Sequence, residues 1–311
     1  MARKKIALVG GGQIGQILAL LTAQKELGDV TITDITDLEN PMKGKALDIQ
    51  TMGPAERVDG NLSGTSDYAD LAGSDVVIVT AGLPRKPGMT RDDLLATNVK
   101  IISAVANGVK THCPDAFCII LTNPLDAMVY AFQKVTGFPK TQVVGMAGVL
   151  DASRWRLFVA MELGVSVEDV QGTVLGGHGP TMVPMPRLTT VGGVPVTELL
   201  DAETLERIAK RTREAGTELV KLYGNGSAFF SPASSAIVMA ESYLKDKKRV
   251  LPVAAMCNGE YGVDGLFIGV PARIGAGGVE KVYEIKLTSD EQALLDKTIT
   301  AVKKTVSEVK L

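Results

Sequence analysis

Lys5-Ile6-Ala7-Leu8-Val9-Gly10-Gly11-Gly12-Gln13-Ile14-Gly15, answered further on by Val30-Thr31-Ile32-Thr33-Asp34, sets the architecture of this chain. The apolar run predicts a strand, the glycines a tight turn, and the segment after Gly15 a helix leading to a second strand. Gly10 permits the turn, Gly12 lets the backbone approach a pyrophosphate, and Gly15 lets the helix pack closely on the strand. The helix N-terminus then faces the phosphates. A glycine cluster alone also occurs in ordinary turns; here the flanking elements supply the context of a dinucleotide site.

Asp34 closes the second strand 19 residues after Gly15, where a ribose 2′-hydroxyl needs an acceptor. A 2′-phosphate would set two anions together, and no arginine immediately follows Asp34. NAD is therefore expected rather than NADP, bound by Gly10, Gly11, Gly12, Gln13, Ile14, Gly15 and Asp34.

Outward from this unit, short apolar runs at Asp75-Val76-Val77-Ile78-Val79-Thr80, Phe117-Cys118-Ile119-Ile120-Leu121 and Val143-Val144-Gly145 alternate with helical segments, one of them starting near Arg91. Such runs predict a parallel sheet covered on both faces. Residues 1–146 read as a doubly wound, Rossmann-type α/β domain. Residues 147–311 read as an α+β substrate domain, with strands over 170–175 and 181–188, a Gly192-Gly193 hairpin turn, and further strands near Val250 and Leu266. Thr288-Ser289-Asp290-Glu291 predicts the cap of a last helix carrying Leu294, Leu295, Ile299, Val302, Val306 and Val309. No linker separates the halves, so a shared interface is expected, with ligands in the cleft outside the carboxyl ends of the strands.

The chain has 311 residues, 45% of them hydrophobic, with 33 basic against 35 acidic side chains, a balance that gives no electrostatic footprint for nucleic acid. No apolar run approaches the ~20 residues a membrane helix needs, and glycines interrupt the apolar stretch after Arg3-Lys4-Lys5 too early for a signal peptide. A cytoplasmic protein without nucleic-acid or membrane partners is expected. Cys113, Cys118 and Cys257 form no CxxC pair, and His112 and His178 lack metal-ligand spacing, so buried thiols and no metal are expected.

His178 lies in Gly176-Gly177-His178-Gly179-Pro180, between glycines that let a ligand or backbone come close. Imidazole titrates near neutral pH, which suits a proton acceptor for a hydroxyl losing hydride from its carbon. In Leu150-Asp151-Ala152-Ser153-Arg154 the i, i+3 spacing puts Asp151 and Arg154 on one helix face. Asp151 can then orient the imidazole while Arg154 offers a planar fork to a carboxylate; a plain intrahelical ion pair is the simpler alternative. Leu83-Pro84-Arg85-Lys86-Pro87-Gly88-Met89-Thr90-Arg91 follows a strand's carboxyl end and reads as a lid bringing Arg85 and Arg91 to an anionic substrate, or as a solvated charged loop. Leu121-Thr122-Asn123-Pro124 ends another parallel strand and places Asn123 at the same crevice, with Asn98 on the helix leaving the lid.

Together these segments resemble the lactate/malate dehydrogenase family, most closely its bacterial malate dehydrogenases of lactate-dehydrogenase-like type, and the resemblance covers essentially the whole chain. It implies His178 as proton acceptor, Asp151 as its partner, Arg154 on the substrate carboxylate, and Arg91 polarising the reacting carbonyl. It also implies that Asn123 touches both substrate and cofactor, and that Leu121, Thr122 and Asn98 join the NAD site. Arg85 stands where the family's malate enzymes carry arginine and typical lactate enzymes glutamine. The second carboxylate of oxaloacetate would pair with Arg85, whereas pyruvate would leave a guanidinium buried alone. One departure is Phe230-Ser231-Pro232-Ala233-Ser234-Ser235, which lacks the threonine of typical lactate enzymes and is similar to the matching segment of apicomplexan lactate dehydrogenases. The resemblance further implies a homo-oligomer, dimer or tetramer.

The expectation is thus NAD-dependent oxidation of (S)-malate to oxaloacetate, with L-lactate or a broader 2-hydroxy acid as the alternative. An NAD-dependent, metal-using glycosidase is disfavoured by the missing cysteine and histidine cluster. A non-enzymatic dinucleotide sensor would leave the histidine, the aspartate and three arginines unexplained.

Overall fold

The computed structural model describes residues 3–84, 91–224 and 226–311. The first half runs β1 (Lys5–Val9), α1 (Gln13–Gln24), β2 (Asp29–Thr33), α2 (Glu39–Thr51), α3 (Gly53–Glu56), β3 (Leu62–Thr65), β4 (Val76–Val79), α4 (Arg91–His112), β5 (Phe117–Ile120), α5 (Leu125–Thr136), β6 (Val143–Gly145) and α6 (Gly148–Leu163). The second half continues with β7 (Val170–Gln171), β8 (Val174–Leu175), β9 (Val183–Pro184), β10 (Thr190–Val191), β11 (Val194–Pro195), α7 (Val196–Leu199), α8 (Ala202–Tyr223), α9 (Phe230–Leu244), β12 (Arg249–Asn258), β13 (Asp264–Gly275), β14 (Gly278–Val282) and α10 (Ser289–Ser307).

Among the described residues, nine strands form one sheet in the order β14-β13-β12-β6-β5-β4-β1-β2-β3. All neighbours from β3 to β6 pair in parallel. Every residue of β4 and of β5 is buried, as expected for strands covered on both faces. Alternate residues of β1 point to opposite sides: Ile6 and Leu8 pack with Leu18 of α1 and Ile237 of α9, while Ala7 and Val9 pack with Ile102 of α4 and Phe132 of α5. The doubly wound sheet read from the sequence is present. Its order reverses at β1, between β2 and β4, so the crevice lies at the carboxyl ends of β1 and β4.

The two halves share more than a face. Strand β12 continues the parallel sheet in antiparallel sense, with Ala254 opposite Gly145, and β13 and β14 extend it further.

Two strand expectations need correction. The run over 170–175 breaks at Gly172-Thr173 into β7 and β8, which belong to different small sheets. Gly172 presses so closely on Trp155 that a Cβ there would lie 3.0 Å from the indole, and the chain bends around the ring. The run over 181–188 forms strand only at β9, because Pro184 and Pro186 have no N–H to extend the ladder and Pro186–Leu188 turns as 3-10 helix.

The Gly192-Gly193 turn joins β10 to β11 with φ of 57° and 87°, the left-handed pair a two-residue hairpin requires. Helix α10 starts with a full capping box: Thr288 accepts from the Glu291 N–H, and Glu291 accepts from the Thr288 N–H. Its Leu295, Ile299 and Val302 are buried in the core, while Leu294 stands largely exposed.

Candidate active site

The glycine turn sits where β1 meets α1. Gly10 has φ of 105°, and a Cβ on it would lie 2.6 Å from the Ala81 nitrogen. A Cβ on Gly15 would lie 2.1 Å from the Gly10 carbonyl oxygen, so helix and strand approach as closely as bare backbone allows. A Cβ on Gly12 meets no described atom within 4 Å. That open space at the N-terminus of α1 suits a pyrophosphate, so the residues present fit a dinucleotide. Gln13 and Ile14 open the helix.

The Asp34 carboxylate is drawn to the turn: one oxygen accepts the Gly11 N–H at 2.8 Å and the other accepts the Ile35 N–H at 2.9 Å. Each carboxylate oxygen keeps a lone pair for a ribose hydroxyl. Two further residues brace the turn without having been legible in the sequence: Thr80 donates to the Gly10 carbonyl at 2.9 Å, and Lys45 of α2 donates to the Gly11 carbonyl.

At the carboxyl end of β5, Leu121 and Thr122 are buried and Asn123 is exposed. The Thr122 hydroxyl donates to the Ala81 carbonyl at 2.7 Å. Asn98 is buried and ties two loops together, accepting the Leu83 N–H at 2.8 Å and donating to the Leu83 and Asn123 carbonyls at 3.1 and 2.7 Å. In this arrangement its amide is occupied by protein. Arg85 and the side chain of Arg91 lie outside the described residues; Arg91 begins α4.

Asp151 and Arg154 share a face of α6, as the i, i+3 spacing predicted, and His178 meets them there. His178 Nδ1 lies 2.8 Å from Asp151 Oδ2, and Arg154 Nη1 lies 3.4 Å from Asp151 Oδ1. Asp151 is 2% exposed, so this is no surface ion pair. Burial pushes the imidazole pKa down, but the Asp151 charge and hydrogen bond more than reverse it, and His178 stands above its ordinary value. Burial lowers the Arg154 pKa, against the opposing pull of Asp151. The buried Arg154 Nε has no partner among the described residues. A guanidinium held in this way is suited to a carboxylate arriving from solution.

Asp126, in the first turn of α5, escaped the sequence reading because an acid there is ordinary helix chemistry. Its Oδ2 accepts the His178 backbone N–H at 3.0 Å. Asp126 lies three residues after Asn123, so the Asn123 loop and the His178 turn are stitched together. Burial pushes its carboxyl up to about 6, against the lowering effect of His178. Thr298 of α10, also missed, accepts the Gly177 N–H at 2.9 Å.

The stretch leading into Phe230 approaches the start of α1. A Cβ at Gly226 would lie 3.8 Å from the Gln13 side-chain oxygen, and the Phe229 ring lies 4.2 Å from that of Phe230 and 5.5 Å from that of Tyr223.

The model of the lactate/malate dehydrogenase NAD binding domain matches residues 4–145, and that of the lactate/malate dehydrogenase alpha/beta C-terminal domain matches residues 148–310. The chain belongs to the lactate/malate dehydrogenase family. It is 58% identical over 309 residues to the malate dehydrogenase of Myxococcus xanthus, covering 99% of this chain and 98% of that protein. The crystal structure of Cryptosporidium parvum malate dehydrogenase superimposes with a TM-score of 0.95 at 44% identity, covering 98% of each chain. The lactate dehydrogenase of the same organism, crystallised with lactic acid and nicotinamide adenine dinucleotide, matches with a TM-score of 0.95 at 46% identity over 99% of this chain and 98% of that one. As a member of this family the chain is an oxidoreductase with NAD as its cofactor. The glycosidase and sensor readings fall away.

Proposed function

We propose that the protein is an NAD-dependent malate dehydrogenase, oxidising (S)-malate to oxaloacetate reversibly. The observation that carries the proposal is the 2.8 Å contact between His178 Nδ1 and the buried Asp151. With Nδ1–H given to Asp151, Nε2 is the basic nitrogen left for the substrate hydroxyl. Bound NAD supplies the hydride acceptor at its nicotinamide ring. As hydride leaves C2, His178 takes the hydroxyl proton, and Asp151 stabilises the imidazolium.

Arg154 binds the carboxylate next to the reacting carbon, Arg91 polarises the carbonyl in the reverse direction, and Arg85 pairs with the second carboxylate. Asn123 serves substrate and cofactor. Gly10, Gly11, Gly12, Gln13, Ile14, Gly15, Asp34, Asn98, Leu121 and Thr122 form the cofactor side. Residues 1–146 thus hold NAD and bring Arg85, Arg91 and Asn123 to the substrate, and 147–311 supply Asp151, Arg154 and His178. The experiment is NADH oxidation with oxaloacetate and pyruvate side by side: a strong kcat/KM preference for oxaloacetate supports the proposal, and a preference for pyruvate overturns it.

A second reading, L-lactate dehydrogenase, is favoured by one observation: the Cryptosporidium lactate enzyme is as similar in fold as the malate enzyme, at 46% against 44% identity. A homo-oligomer in the cytoplasm completes the proposal. Among the described residues no helix is long and apolar enough to cross a membrane. On α6, Trp155 is core and Phe158 lies under Arg211 at 4.2 Å, but Met161 is 58% exposed and Leu157 is 44% exposed. These two offer apolar surface to another copy, and sedimentation as a monomer at micromolar concentration would contradict it.

A further inference from the structure

Consecutive backbone amides of the Gly177-His178 turn are held by side chains of two different helices. Gly177 N–H is bonded to Thr298 of α10 at 2.9 Å, and His178 N–H to Asp126 of α5 at 3.0 Å. Thr298 is fully buried, and the Thr181 hydroxyl lies 3.0 Å from its own. Helix α10 rests on bare backbone here: a Cβ at Gly176 would lie 2.4 Å from the Thr298 methyl, and one at Gly177 would lie 2.4 Å from a Val302 methyl. Upstream, Gly176 exchanges hydrogen bonds of 2.8 and 3.1 Å with Gly269 of β13. The turn is therefore anchored before the histidine, and the orientation of the following peptides is set by Thr298 and Asp126.

We propose that Thr298 is a positioning residue for His178, acting through the Gly177 amide so that the C-terminal helix sets the distance between the imidazole and Asp151. The proposal rests on His178 being the proton acceptor. Without the threonine oxygen, Gly177 N–H is a buried donor with no acceptor, and the peptide rotates to find one. The histidine follows, because it is the next residue. A shift well under 1 Å is enough to degrade proton transfer. The charged groups facing the imidazole are Asp126 from α5 and Asp151 and Arg154 from α6; α10 contributes an uncharged hydroxyl, so removing it changes geometry and not net charge.

The test is Thr298→Val, with Thr298→Ser as the conservative control. Because the chain has two histidines, the titration of His178 is resolved in isotope-labelled protein by NMR, with His112 as the internal reference. Thr298→Val is expected to lower the His178 pKa as the Asp151 contact lengthens, and to lower kcat about tenfold with KM and NADH affinity nearly unchanged. Thr298→Ser keeps the wild-type titration and rate. A valine variant that only melts earlier, with His178 titration and kcat intact, overturns the proposal. If the valine variant does not fold, Thr298→Ala removes the same acceptor and is judged by the same titration. Should the wild type turn over neither oxaloacetate nor pyruvate, the functional reading fails while the titration still judges the role of Thr298.

Discussion

Asp151 and His178 meet at 2.8 Å although they are separated by 27 residues and belong to a helix and a turn. Replacing Asp151 by asparagine keeps the volume but offers an uncharged, ambiguous partner to Nδ1. We expect kcat to fall by roughly 10²–10⁴ while NADH binding is retained. Stopped-flow turnover beside a fluorescence titration with NADH checks it, and a kcat within a few-fold of wild type would remove Asp151 from the mechanism.

The raised pKa of His178 fixes the sign of the pH dependence. Reduction of the 2-oxo acid needs the protonated imidazole, so kcat/KM for reduction holds through the ordinary histidine range near ~6.5 and falls as pH rises through the folded value. Oxidation rises over the same interval. The stabilisation from charging His178 in the folded state is likewise complete below ~6.5 and lost as pH rises through the folded pKa. A reduction profile whose midpoint lies below that of a free histidine would contradict this.

Asp126 acts with the same sign at lower pH. Its folded pKa of about 6 lies above that of a free carboxyl, so the native state binds the extra proton between these values and stability falls as pH rises from ~4 to ~6. Asp126→Asn retains an oxygen for the His178 N–H and removes the titration. We expect a flatter melting temperature across this interval than in wild type; parallel curves for the two proteins would exclude a raised carboxyl at this position.

Two glycines of one turn separate fold from binding. Gly12→Ala points a methyl into open space, so the melting temperature should hold while the NADH Kd rises about tenfold. Gly15→Ala drives a methyl to 2.1 Å from the Gly10 carbonyl oxygen, so the melting temperature itself should drop. Equal melting temperatures for both variants would argue against the close helix–strand approach.

Arg85→Gln removes the charge proposed to meet the second carboxylate. The ratio of kcat/KM for oxaloacetate over pyruvate should fall by at least about a hundredfold, since a buried guanidinium without its partner costs several kcal/mol. An unchanged ratio would deny Arg85 the discriminating role.

The local rules read well where one residue type answers one backbone demand. Gly10 needed a positive φ, Gly15 a missing side chain, and Thr288 with Glu291 a reciprocal cap; each was legible because the interaction spans a few residues. The strand expectation over 181–188 fails because Pro184 and Pro186 have no N–H to extend a ladder, however apolar the run. Asp126 and Thr298 were invisible for a different reason. As a helix-start acid and a mid-helix threonine they look unremarkable, and their partners lie 52 and 121 residues away in the chain.

Short-range rules are enough for the doubly wound sheet, the dinucleotide turn and the placing of Asp151 and Arg154 on one helix face, since periodicity, glycine stereochemistry and helical spacing act over short distances. Tertiary structure alone decided that β12 joins β6 into one continuous sheet, that Asp34 closes on Gly11, and that α5 and α10 grip the peptide carrying His178. Those contacts depend on burying several helices against the sheet at once, and a hydrogen bond between distant residues acquires its strength only when packing has removed the water that would compete for it.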